Sequence, residues 1–454
     1  MPAEGPRPAA EATHRGPDAR LSPFDVSMVV VSVVIGIGIF RTPALVASST
    51  GTGGLFLAAW GIGGAISLIG ALVFAEIGSR YPRAGGCYSV VAHCWHPIVA
   101  FVLNWSQVLM QGAGAGGVAL IGAEYLLRLT SGDSSSGRSA TLIAAVLLSG
   151  LVLLNLAGIR AGSRAQNVLS LAKIVLIAGL AAAGLALAPS VAPAELAAPD
   201  AGAAAGGLLG ALVAVFYAYG GYQTTMNLGG DARDARRSMA LSICGGMGIV
   251  TLLYLAINFA YLRALGMETL AGSPLVAADL AHAALGRWGE AFVSLSIFLS
   301  AAGFVNATIL QLPRTYVAMA QDGLVPAALG RIDPRTRAQR AGLMFFAATS
   351  LGPLLLLRSF ENLLGYVMFT DALSLVVMAS CLAVLRKRGE GDSDPRTFRM
   401  PGYPWLPGIF MLVLLGVAAD IAIRQPRLAL AGTAIAAIGV PLYTIMKRTW
   451  GARL

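Results

Sequence analysis

Gly36-Ile37-Gly38-Ile39-Phe40 and Phe216-Tyr217-Ala218-Tyr219-Gly220-Gly221-Tyr222 are the two stretches whose reading decides the fold. Each interrupts a long apolar run, the first near residues 24–47 and the second near 204–228. Hydrocarbon offers no hydrogen-bond partner to a loose peptide group, so unwound backbone at membrane depth persists only where protein buries it or a cavity faces it. Matched interruptions in two halves of a chain point to a carrier with its site between inverted repeats. The bland alternative, glycines that serve close helix packing, fits Gly112, Gly114, Gly116 and Gly117, where no polar or aromatic neighbour signals a break.

Composition places the chain in a membrane. Of its 454 residues, 56% are hydrophobic and 12% charged, and the mean hydropathy is +0.73. A hydrocarbon core about 30 Å thick takes roughly 20 apolar residues per helix. Twelve runs meet that need, at 24–47, 54–78, 98–127, 139–158, 167–188, 204–228, 239–262, 289–319, 341–357, 361–385, 405–423 and 428–446. The expected class is an all-α polytopic membrane protein with twelve transmembrane helices. The first run is too long for a secretory h-region and lacks a small-residue cleavage site, so it reads as a retained helix.

Basic residues set the orientation. With the N-terminus in the cytoplasm and the spans alternating, 23 of the 32 Lys and Arg fall on the cytoplasmic side and 7 on the other. The expected topology is N-in and C-in. The net charge of +10 then reflects basic loops beside anionic headgroups, and no stripe of Lys or Arg interleaved with aromatics points to nucleic acid. The excess of Arg over Lys, with abundant Ala and Gly, hints at a bacterial source and hence the cell (inner) membrane.

Residues 1–22, rich in Pro, Ala and charge, read as a flexible cytoplasmic tail. Residues 23–189 and 190–388 read as two five-helix blocks, each opened by a broken span. Five is odd, so the second block starts on the opposite face and the repeat is inverted. Residues 389–454 carry helices eleven and twelve and the C-terminal tail.

Other chemistries find no foothold. An enzyme needs a nucleophile with its base, a metal cluster or a phosphate loop; the four histidines are scattered, and neither Gly-x-x-x-x-Gly-Lys-Ser/Thr nor Gly-x-Ser-x-Gly occurs. Cys87, Cys94, His93 and His96 lack the paired spacing of a closed metal site, so no metal or cofactor is expected. A channel would show rings of like charge or a filter motif instead of paired breaks.

The chain resembles the amino acid, polyamine and organocation transporter superfamily, and within it the L-type amino-acid transporters and their bacterial relatives. The resemblance runs through nearly the whole chain. It rests on the two broken stretches, on Ala75-Glu76-Ile77-Gly78 followed by Tyr81-Pro82-Arg83-Ala84-Gly85-Gly86-Cys87-Tyr88, and on Gly303-Phe304-Val305-Asn306 followed by Pro313-Arg314 and Asp322-Gly323-Leu324-Val325-Pro326. It implies a leucine-transporter-type fold of five plus five helices with alternating access, and no covalent heavy chain, because the loop 130–139 holds no cysteine. It also implies a gate region containing Glu76 and Arg83, with Tyr217 as the gating aromatic of the sixth span. A tyrosine packed at an interface is the plainer reading of Tyr217.

Physics supplies the site beside the resemblance. An amino acid is a zwitterion, and a broken helix offers amide donors at the start of one half and carbonyl acceptors at the end of the other. The carboxylate is expected at the amides of Ile37 and Gly38, and the ammonium at the carbonyls of Val34, Tyr217, Ala218 and Gly220. Gly36, Tyr219 and Tyr222 complete the expected binding set. Where relatives carry Ser or Thr this chain has Ile37, so carboxylate recognition falls to the backbone. Lys173 sits among apolar residues of span five, where an ammonium is costly unless it works. The resemblance puts its charge in place of a sodium ion, with Ser300 as a possible partner. Snorkelling to the interface is the alternative. The expected activity is sodium-independent transport of amino acids, neutral ones first, by exchange or with protons. A polyamine or organocation antiporter is the alternative, disfavoured because no carboxylate lies within either break.

Overall fold

The computed structural model describes residues 23–81, 86–131, 137–156, 163–191, 201–223, 226, 235–321, 323–331, 333, 339–357 and 359–449. Among them there is no strand. The helices are α1 (Pro23–Val34), α2 (Gly38–Thr50), α3 (Gly53–Arg80), α4 (Gly86–Cys94), α5 (Pro97–Ser131), α6 (Gly137–Leu156), α7 (Ser163–Ala186), α8 (Ala201–Tyr219), α9 (Ala235–Gly272), α10 (Val276–Gln321), α11 (Ala327–Gly330), α12 (Arg340–Leu357), α13 (Phe360–Lys387), α14 (Trp405–Arg424) and α15 (Pro426–Thr449). The expected N-terminal tail lies outside the described residues.

Nine of these helices are long and apolar enough to cross a membrane. The first expected span is divided between α1 and α2, of 12 and 13 residues. The described parts of α7 and α8 add two shorter apolar helices, Lys173–Ala186 and Gly206–Tyr219.

Local chemistry fixes the helix ends. The Thr52 hydroxyl accepts the Leu55 N–H at 3.3 Å to open α3, and Ser359 accepts from Asn362 at 3.2 Å to open α13. Gly51, at φ 71°, closes α2 in the left-handed region. A straight helix of 46 residues such as α10 would run roughly 70 Å, more than twice the hydrocarbon thickness. It is bent instead at Gly286, φ 68°, so a short arm precedes the membrane-length part. Gly266, φ 72°, bends α9 in the same way.

The broken helices sit at the centre. α2 packs on α8 and α9, α1 on α9 and α7, and α5 contacts α10, α12 and α13. The glycines of α5 divide by task. A Cβ at Gly112 would come 2.5 Å from Thr349 Oγ1, and one at Gly116 would come 2.9 Å from the Ser350 carbonyl, so both let α5 close on α12. Gly114 has open space and faces the central cavity.

Candidate functional site

The first break is three residues wide. α1 ends at Val34, whose carbonyl accepts the Gly36 N–H at 2.6 Å in a turn too tight for a helix, and α2 begins at Gly38. In the first turn of α2 the Phe40 N–H reaches the Ile37 carbonyl at 3.0 Å, and the N–H groups of Gly38 and Ile39 have no partner inside the helix. The second break follows Tyr219. The Gly220 N–H reaches the Tyr217 carbonyl at 3.4 Å, and Gly221, at φ 109°, donates to Gln223 Oε1 at 3.1 Å. Only glycine takes that φ without strain.

The two breaks touch. A Cβ on Gly38 would stand 3.1 Å from the Ala218 Cα and 3.2 Å from the Tyr217 ring, and one on Gly221 would stand 2.8 Å from Val33 Cγ1. Between them lies a cavity of about 170 Å³. A buried water needs on the order of 10–15 Å³ by this measure, so the space suits a ligand of roughly ten heavy atoms. Val34, Gly36, Ile37, Gly38, Tyr217, Ala218 and Gly220 all line it. The Tyr217 ring meets Phe360 of α13 edge-on at 5.6 Å, closing one wall.

Tyr219 and Tyr222, expected in the binding set, do not line the cavity. Tyr219 packs on Trp60 and Tyr254 at 6.0 and 5.0 Å, and Tyr222 packs on Phe74 at 6.0 Å. Both are buried in helix contacts. Lys173 is buried, with its Nζ 6.0 Å from the centre of the Phe304 ring, and no hydrogen bond or ion pair joins it to any described residue. Ser300 is buried too, and its hydroxyl has no hydrogen-bond partner among the described residues, so no Lys173–Ser300 bond forms.

Glu76 is fully buried, and its carboxylate is crowded with donors. Arg80 Nε lies at 2.6 Å, Arg386 Nε and Nη2 at 2.8 and 2.6 Å, and the Met400 N–H at 2.8 Å. Arg83, the other expected gate residue, lies outside the described residues. At the other end of α13, Arg41 reaches Glu361 at 3.0 Å and Glu124 at 3.8 Å and donates to the Pro274 carbonyl.

Residues beyond the expected set shape the site. The Tyr254 hydroxyl on α9 lies 3.1 Å from the Val34 carbonyl and 3.1 Å from the Ala218 carbonyl, joining the ends of the two half-helices through one proton donor. A tyrosine in an apolar span, one of two there with Tyr261, was its only mark in the sequence. Asp371 and Gln107 line the cavity and bond to each other at 3.1 Å. Asp371 is visible in the sequence as an acid within span ten, but nothing there aims it at the breaks.

A helical membrane protein whose two broken helices meet at one cavity has the architecture of a small-molecule carrier. The family profile described as amino acid permease matches residues 21–442, and the chain belongs to that family. It is 26% identical to the serine/threonine exchanger SteT of Bacillus subtilis, over 92% of this chain and 95% of that protein. It is 27% identical to the human large neutral amino acids transporter small subunit 2, over 91% of this chain and 78% of the relative. For the human cystine/glutamate transporter the identity is 26%, over 91% and 82%. The family and these relatives point to a transporter in preference to an enzyme.

Proposed function

We propose that this chain is a sodium-independent amino-acid transporter of the bacterial cytoplasmic membrane, carrying neutral amino acids by alternating access. Twelve spans in N-in/C-in topology, built as five plus five inverted helices and two more, are part of that reading. The observation that carries it is the meeting of both breaks at one cavity. There the α2 amides suit a carboxylate and the carbonyls of Val34, Tyr217, Ala218 and Gly220 suit an ammonium, the two groups every α-amino acid shares. Ile37 offers no hydroxyl, so the backbone bears the recognition. Tyr217 closes over the ligand, and Lys173 supplies, without sodium, the charge that a coupling ion would bring. Exchange is favoured over proton coupling, since one relative is named an exchanger. Glu76, with Arg83, belongs to the cytoplasmic closure.

Reconstitution in liposomes tests this. Labelled amino acids should enter only vesicles preloaded with an amino acid, at the same rate with and without sodium. Uptake driven by an acid-outside gradient alone would shift the reading to proton symport. Flux without saturation or trans-stimulation would overturn it in favour of a pore.

A further inference from the structure

The cavity is not uniformly apolar. Asp371 of α13 is the only acidic or basic lining residue among the described residues, with Gln107, Gln111, Tyr217, Gln223 and Thr308 as the other polar side chains. Asp371 is 6% exposed. Its Oδ1 accepts the Gln107 side-chain N–H at 3.1 Å, and its Oδ2 accepts no hydrogen bond from any described residue. No Arg, Lys or His among the described residues pairs with it, although the buried acid at the far end of the same bundle, Glu76, is held by two guanidinium groups.

A carboxyl group withdrawn from water needs donors, and one amide is not enough. The backbone already meets both ends of the amino-acid zwitterion, so the ligand's side chain is the part left to face Asp371. We infer that Asp371 is a specificity-determining residue that selects ligands whose side chain carries a hydrogen-bond donor, a hydroxyl, amide or ammonium, over apolar ligands of the same shape. This rests on the reading of the cavity as an amino-acid site. An apolar side chain leaves the carboxyl unpaired, and sites that leave their own buried polar groups unpaired discriminate strongly against the analogue lacking the partner.

The test uses isosteric pairs in the reconstituted full chain: threonine against valine for a neutral donor, and lysine against norleucine for a cation. Exchange should favour the donor in at least one pair by roughly ten- to a hundredfold, the range for a hydrogen bond to a charged group. Asp371→Leu should bring that ratio close to one. Asp371→Asn keeps the shape and an acceptor oxygen, and should lower the ratio several-fold; it decides the matter if the leucine variant does not fold. A wild-type ratio within about twofold of one in both pairs overturns the inference. So does a ratio that the asparagine variant leaves unchanged, or a leucine variant that weakens both members of a pair equally. A wild-type protein that exchanges no amino acid at all overturns the transport reading and this inference with it.

Discussion

Tyr254→Phe removes one oxygen and leaves the ring, which is fully buried against Trp60 and Tyr219. That oxygen lies 3.1 Å from the carbonyls of both Val34 and Ala218. One O–H carries one proton, so the pair is a shared bond worth about one strong hydrogen bond. Val34 keeps the Gly36 N–H at 2.6 Å, and the loss falls on Ala218 and on the link between the breaks. A buried acceptor deprived of its donor costs about 1–3 kcal/mol. If the loss depopulates the binding-competent arrangement, apparent affinity falls by the same factor, roughly 5- to 150-fold. The assay is kcat/KM for exchange in liposomes, with a thermal melt in parallel. Tyr261→Phe is the control: its hydroxyl is buried on the same helix with no hydrogen-bond partner among the described residues, so its removal should be close to neutral. The reasoning fails if Tyr254→Phe keeps kcat/KM within about twofold of wild type. A lowered Tm with unchanged kcat/KM would assign the phenol to packing alone.

Lys173→Ala should slow exchange about tenfold, the effect of ~1.4 kcal/mol; unchanged activity, indifferent to sodium, would remove its proposed coupling role. Gly221→Ala places a Cβ 2.8 Å from Val33 at φ 109° and should abolish most transport, whereas Gly36→Ala meets nothing closer than 3.9 Å and should keep it. Equal uptake by the two variants would contradict the assigned geometry. Glu76→Gln removes the buried charge that Arg80 and Arg386 share, leaving Arg80 its 2.9 Å pair with Asp392, and should destabilise the protein by about 3 kcal/mol, seen as a clear drop in Tm. Arg41→Gln, by contrast, breaks a 3.0 Å pair with the half-exposed Glu361 and only a 3.8 Å one with Glu124, and should lower Tm less than Glu76→Gln does while altering turnover.

The breaks were legible because glycines between apolar runs are a local signal, and the structure opens the backbone at those residues. Helical geometry explains why only part of the second stretch faces the cavity. α8 stays helical through Tyr219, and residues two apart on a helix point in nearly opposite directions, so Tyr217 and Tyr219 cannot share one wall. Applied to Phe216–Tyr219, the 3.6-residue period would have separated them. Tyr254 was not legible. Its hydroxyl meets Val34 from 220 positions away, and no local pattern records such a meeting. The Arg386 partner of Glu76, 310 positions off, was hidden for the same reason. Asp371 stood out as an intramembrane acid, but its place beside the breaks depends on how α13 packs on α5 and α8.

A contact that opens and closes in every transport cycle must be cheap to break, and one that sets a hinge must not be. The two charge clusters on α13 separate along that line. Glu361 and Arg386 lie 25 residues apart on that helix, about 38 Å along its axis. At the first end Arg41 meets Glu361, whose side chain is 44% exposed, with a second carboxylate only at 3.8 Å. Arg41 itself is only 14% exposed, but a pair with one half-exposed partner contributes less than a fully buried one. At the second end Glu76, at 0% exposure, accepts four hydrogen bonds from α3, α13 and the segment before α14. Breaking it would leave an uncompensated charge in the interior, a step larger than most conformational switches supply. The Glu76 cluster is therefore the more strongly held end of α13 and the Arg41–Glu361 pair the weaker one, with Asp371 between them on the same helix.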